Sequence, residues 1–208
     1  MIKMKNKELI VPIILLLLFL LVTAMMISGK MSVIDEQVYQ FLASYVSPEL
    51  TRINIAVSWI GDAYFMVPVV LFLMICPATR KVFAIPVPTT CLISLFANRI
   101  LKLIFERPRP EINHLVEVGH YSFPSGHAMN NMAFYTILVL LICRYAKKTS
   151  TKLSCFFGAY ALVLAIGISR IYLGVHYFSD IIAGYLLGLA IAITVDFVIE
   201  RIKGDKAL

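Results

Sequence analysis

A polar stretch between two long apolar runs carries an arginine, a histidine and an aspartate: Arg170, His176 and Asp180, within residues 169–180. His176 and Asp180 are four residues apart, a spacing that puts them one turn apart on one helix face. There the carboxylate can accept the proton of one imidazole nitrogen and leave the other nitrogen free as a nucleophile. Arg170, six residues before the histidine, can neutralise an anion as it is attacked. The chemistry this suggests is nucleophilic attack on a phosphoryl group.

Two stretches upstream supply the rest of such a site. Lys102 is predicted about one turn from the end of a helix, and Arg109 follows it between Pro108 and Pro110. An arginine between prolines has few conformations and offers a two-pronged fork to phosphate. A charged anchor at the membrane interface would account for Lys102 equally well. Arg99 and Arg107 are expected to be interface charges only. In Pro124-Ser125-Gly126-His127 the serine is a good helix cap, the glycine admits a ligand to the backbone, and free amides at a helix start bind anions. An ordinary helix start explains Ser125 and Gly126. It does not explain a histidine in the first turn, where the helix dipole disfavours a cation. A bound anion would reverse that penalty and keep His127 protonated as an acid.

The elements that must position these residues are apolar. Of 208 residues, 60% are hydrophobic, and the mean hydropathy is +0.86, well above the ~45–50% apolar content of soluble domains. The net charge of +7 is scattered between apolar runs, which argues against nucleic acid as a partner. Cys76, Cys91, Cys143 and Cys155 have no CxxC spacing, so neither a zinc site nor a disulfide framework is expected. Apolar periodicity and Pro or Ser punctuation predict spans near 9–27, 63–76, 82–105, 127–144, 153–171 and 178–199. The first resembles a signal peptide but is long and lacks a convincing cleavage site, so an uncleaved span is expected. Ser32-Val33-Ile34-Asp35 reads as a capping box and Ser47-Pro48-Glu49 as a second helix start. Both are placed as short helices at the membrane surface. The predicted fold is an all-α, integral membrane bundle of six transmembrane helices, with short interfacial helices between spans one and two, in one domain over 1–208.

Six spans put both termini on one side. Twelve of the 19 Lys and Arg residues, among them Lys3, Lys5, Lys7 and Lys206, fall on that side. By the positive-inside rule the termini are cytoplasmic and the three polar stretches open to the opposite face.

Lys102-(six residues)-Arg109-Pro110, Pro124-Ser125-Gly126-His127 and Ser169-Arg170-(five residues)-His176-(three residues)-Asp180 resemble, in order and spacing, the three signatures of the type 2 phosphatidic acid phosphatase superfamily. The resemblance implies that His176 attacks phosphorus to form a phosphohistidine, with Asp180 orienting it. It implies that His127 protonates the leaving oxygen and that Lys102, Arg109, Ser125, Gly126 and Arg170 hold the phosphoryl oxygens. No metal or other cofactor is expected. Asn98, Tyr121 and Tyr172 are possible supporting groups, and His114 and His120 are expected to be solvated loop residues.

A site at the bilayer surface points to a lipid phosphate or diphosphate as substrate, in the plasma membrane and on its outer face. The resemblance puts undecaprenyl diphosphate first, with phosphatidylglycerol phosphate or phosphatidic acid as alternatives. A lipid phosphotransferase, or a lipid-binding or translocating protein without catalysis, would share many of these features. Oligomeric state is not legible.

Overall fold

The computed structural model describes residues 9–112, 114–119 and 121–205. Lys3, Lys5, Lys7, His120 and Lys206 lie outside the described residues. The described elements are the helices α1 (Ile10–Ile27), α2 (Ser32–Ala43), α3 (Pro48–Ile60), α4 (Ala63–Ile75), α5 (Arg80–Phe83), α6 (Pro86–Phe105), α7 (Gly126–Tyr145), α8 (Thr149–Tyr172) and α9 (Phe178–Asp205). Six stretches are long and apolar enough to cross a bilayer: α1, Pro48–Ile75, α6, α7, α8 and Phe178–Lys203. The 20 residues of α6 or α7 rise about 30 Å, the thickness of a hydrocarbon core. The chain is thus a multi-pass membrane protein.

The second span departs from expectation. α3 is not a separate surface helix; it continues through Gly61-Asp62 into α4, and together they make one 28-residue stretch. Asp62 caps α4, its Oδ1 accepting from the Tyr64 amide at 3.2 Å. The Gly61 carbonyl accepts from Asn131 Nδ2 on α7 at 2.8 Å. A Cβ on Gly61 would stand 2.7 Å from Ile166 on α8, so the bend is pressed against two neighbouring helices. The third span is also divided: α5 is a separate turn, and α6 starts at Pro86, whose missing N–H costs nothing in a first turn.

Ser47 caps α3 as expected, accepting from the Leu50 amide at 3.2 Å. Ser32 does not cap α2; its hydroxyl donates to the Gly29 carbonyl. Asp35, read as the acidic member of a capping box, is turned inward and is 2% exposed.

α7 is the central helix. It meets α9 where Gly184 and Gly188 face it, and a Cβ at Gly188 would collide with the Met129 carbonyl. Small residues allow that close approach, which in a membrane replaces hydrophobic drive with packing contacts. Met66, Val87, Phe134, Ile137, Leu141 and Ala192 form one buried cluster, and Phe19, Phe123 and Ala183 join α1 to α9. Exposed Leu17 and Leu21 on α1 and Phe157, Leu164 and Ile168 on α8 form an apolar exterior suited to lipid. All four cysteines are free and partly buried.

Candidate active site

The end of α8, the start of α9, the end of α6 and the start of α7 converge at one end of the bundle. α8 stops at Tyr172, and the chain turns through Gly174 at φ 75°, a left-handed conformation that glycine adopts without strain. His176 therefore sits in the turn before α9 and not on a helix face, as its spacing suggested. Asp180, in the first turn of α9, still meets it, with His176 Nδ1 3.3 Å from Asp180 Oδ2. The same oxygen accepts from the Tyr177 amide at 3.0 Å, so the carboxylate reaches back as a helix-start acceptor and orients the ring together. Both residues are buried.

Arg107 is not the interface charge that was expected. Its Nη1 donates to Asp180 Oδ1 at 2.6 Å and its Nη2 to Asp35 Oδ2 at 2.9 Å. Its guanidinium lies 4.0 Å from the Tyr177 ring centroid. Asp35 also accepts from the Ser179 amide at 2.8 Å and the Ser179 hydroxyl at 2.7 Å.

Lys102, Arg109, Gly126, His127, Arg170 and His176 line one cavity of about 380 Å³, together with Ser58, Asp62, Trp59 and residues 116–119. The two imidazoles thus face a common space. Lys102 donates to the Tyr121 carbonyl. Arg109 donates to the Gly119 and Val175 carbonyls, which tie the loop after α6 to the turn before α9. Its Nη1 stands 3.4 Å from His176 Nε2. Arg170 donates from Nη1 to the Ser58 hydroxyl at 2.5 Å. Arg170 Nε and His127 Nε2 are buried without a hydrogen-bond partner among the described residues. Buried polar groups are rarely left unpaired, and here both belong to residues lining a cationic cavity. Asp62 Oδ2 is 3.8 Å from His127 Nε2.

Ser125 and Asp180 do not line the cavity wall. The Ser125 hydroxyl is buried and accepts from the Ala128 amide at 3.4 Å, while its own amide donates to the Asp180 carbonyl at 3.1 Å. Ser125 thereby starts α7 and fastens it to α9. Asn98 donates to the Pro124 carbonyl at 3.0 Å and its Oδ1 would meet a Cβ on Gly126 at 3.1 Å, so it supports the same turn. Tyr172 serves elsewhere, its hydroxyl lying 3.2 Å from the Ser47 amide and from Thr51 Oγ1. Ser169 donates to the Ile166 carbonyl within α8. His114 is exposed, with Nε2 2.9 Å from the Pro110 carbonyl.

Burial, then the charges of Arg109, Arg170, Lys102 and His127, hold His176 well below the ordinary histidine range. The imidazole is neutral at pH 7 and keeps a lone pair. Burial also lowers Arg109, against the opposing pull of Asp180.

Residues 83–201 match the model of the PAP2 superfamily, which is more than half of the chain. The chain belongs to the PAP2 superfamily. Phosphatidylglycerophosphatase B of Bacillus subtilis is 28% identical over 198 residues, covering 92% of this chain and 96% of that protein. An undecaprenyl-diphosphatase of Sulfolobus acidocaldarius is 30% identical over 184 residues, covering 84% of each chain. The crystal structure of a transmembrane PAP2 type phosphatidylglycerolphosphate phosphatase from Bacillus subtilis superposes with a TM-score of 0.83 at 26% identity, covering 92% of this chain and 96% of that one. This PAP2 protein is a membrane phosphatase. Its matched region begins at residue 83, yet Asp35, Ser58 and Asp62 reach the PAP2 residues from α2, α3 and the bend before α4. Nothing in their local sequence marks them, because each acts through contacts made more than a hundred residues away or across helices.

Proposed function

We propose that this PAP2 protein hydrolyses the terminal phosphate of a membrane lipid through a phosphohistidine on His176. The observation that carries a lipid over a soluble ester is an apolar groove of about 280 Å³ between α4, α6 and α7. It is lined by Met66, Val67, Val70, Cys91 and Leu95 and shares Asp62, Gly126 and His127 with the polar cavity. One molecule with an anionic head and an apolar tail fits both.

The Asp180 carboxylate accepts a hydrogen bond from Nδ1–H of His176, and Arg109 faces Nε2 as a donor, so the lone pair is on Nε2. Nε2 attacks phosphorus while the bond to the leaving oxygen breaks and that oxygen takes a proton from His127. Water then attacks the phosphohistidine, His127 accepts its proton, the P–N bond breaks, and inorganic phosphate leaves. Lys102, Arg109, Arg170 and the backbone amides that open α7 at Gly126 neutralise the phosphoryl oxygens, the main requirement of phosphoryl transfer. Ser125 sets those amides through its cap and retains a hydroxyl proton to donate. Residues 1–208 form one domain in this reading, since α2 and α3, which precede the matched region, supply residues to the site. No group of three or more His, Cys, Asp or Glu able to hold a metal ion occurs among the described residues, and the three cations supply the charge that phosphate needs.

Undecaprenyl diphosphate, cleaved to undecaprenyl phosphate, is the substrate we put first. The Bacillus relative's name favours phosphatidylglycerol phosphate as the second reading. The positive-inside distribution supports cytoplasmic termini and a site on the outer face of the plasma membrane. Phosphate release in detergent from undecaprenyl diphosphate, phosphatidylglycerol phosphate, phosphatidic acid and a soluble ester tests the assignment. The expected order puts undecaprenyl diphosphate first and the soluble ester last. A phosphorylated lipid acceptor with no free phosphate would make the protein a phosphotransferase. Lipid translocation undiminished in His176→Ala would make it a translocator.

A further inference from the structure

His176 and Asp180 are the inner half of a longer chain of ionisable groups, His176, Asp180, Arg107 and Asp35, of which only Arg107 is partly exposed. We propose that Arg107 and Asp35 are positioning residues for the nucleophile, a clamp in which one guanidinium holds the catalytic carboxylate ionised while α2 holds the guanidinium. The inference rests on His176 being the nucleophile.

The geometry is specific. One prong of Arg107 reaches Asp180 and the other reaches Asp35, at 2.6 and 2.9 Å, and Tyr177 covers its face. Asp35 is further occupied by the Ser179 amide and hydroxyl. Ser179 Oγ in turn lies 2.8 Å from Arg107 Nη1. Two buried carboxylates beside one cation leave net negative charge, which favours a proton on the Asp180–His176 pair unless the cation stays in place. A protonated Asp180 would donate to Nδ1 and move the imidazole proton to Nε2, removing the attacking lone pair. Arg107 prevents this through charge, and Asp35 fixes its position.

Other groups face the pair from every side. Lys102 on α6, Arg109 on the following loop, His127 on α7 and Arg170 on α8 act on His176, and Glu111 acts on Tyr177. The helix α1 carries no titratable residue. Of the cations, Arg107 is the one hydrogen-bonded to Asp180 among the described residues.

The test is the pH dependence of kcat/KM for a soluble phosphate ester in detergent, from about pH 4.5 to 9. It compares wild type, Arg107→Met, Arg107→Lys, the double variant Asp35→Asn with Arg107→Met, and His176→Ala. In Arg107→Met the acid limb is expected to rise by about one pH unit or more, with kcat down at least about tenfold. Removing the second carboxylate in the double variant should bring the limb back down. Arg107→Lys keeps the charge but not the fork, so the limb should stay while kcat falls about fivefold or more. A limb unmoved in Arg107→Met, or no return in the double variant, overturns the proposal. If Arg107→Met does not fold, Arg107→Lys decides: wild-type kcat there overturns the clamp. Activity retained in His176→Ala would instead overturn the nucleophile assignment itself.

Discussion

Replacing Asp180 by asparagine keeps the side chain's shape and removes its charge. Asp180 accepts three hydrogen bonds, from Arg107 Nη1, the Tyr177 amide and His176 Nδ1. An amide has one acceptor oxygen. If that oxygen stays on Arg107, the –NH2 confronts the Tyr177 N–H and turns His176 Nδ1 into an acceptor. If the amide flips, the –NH2 confronts a guanidinium. The first arrangement loses or reverses two buried contacts, at about 1–3 kcal/mol each, and shifts the imidazole proton to Nε2; the flipped one keeps the Tyr177 and His176 contacts and loses the one to Arg107. At about 1.4 kcal/mol per decade the loss in kcat is roughly 30-fold to 10⁴-fold in the first arrangement and roughly 5-fold to 10²-fold in the flipped one. The cost should fall on kcat more than on KM, because Asp180 does not line the cavity. Initial rates of phosphate release for purified Asp180→Asn, with its melting temperature as a folding control, measure this. A folded variant with kcat within about threefold of wild type would refute the reasoning about the tautomer.

Ser58→Ala leaves Arg170 Nη1 without its acceptor and should cost kcat/KM about tenfold, in keeping with a charge-assisted hydrogen bond; steady-state kinetics check it. Gly61→Val drives a branched side chain into Ile166 and Asn131, where even a Cβ would stand at 2.7 and 2.8 Å. The melting temperature should fall and activity with it, and an unchanged melting temperature would contradict the packing. His176 titrates well below its ordinary range, so it stays neutral as pH falls from 8 to 6, and the acid limb of wild-type kcat/KM should lie below about pH 6.5. The sign for stability is the same: a buried neutral histidine favours the fold above the unfolded-state value near 6.5, and that contribution is lost as acid protonates the unfolded chain. Chelators should leave phosphate release unchanged and vanadate should inhibit it competitively, both read by the phosphate assay.

The residues gathered at the cavity were legible because their types and spacing have few other uses. A histidine four residues from an aspartate, an arginine between prolines and a histidine in a helix's first turn all point to an anion, and all but Ser125 and Asp180 line the cavity. The six spans were legible from apolar run length. What sequence could not carry is which polar residues other helices would bury against the site. Ser32-Val33-Ile34-Asp35 has the spacing of a helix start, yet Asp35 is drawn inward by Arg107 and Ser179, more than seventy residues away. Arg107 lies two residues before Arg109 in the same Pro-rich segment, and only the fold distinguishes one as facing the cavity and the other as facing Asp180. Gly61-Asp62 reads as a helix boundary and is one, but packing against Asn131 and Ile166 keeps α3 and α4 in a single span.

The most direct test is to trap the intermediate. His127→Ala, given a labelled phosphate ester whose leaving group needs no proton, should become phosphorylated and then stall, because the residue we propose as the base that activates water is gone. Rapid quench in base followed by peptide mapping should place the label on His176. Label on any other residue, or burst-free turnover with no labelled protein, would contradict the account.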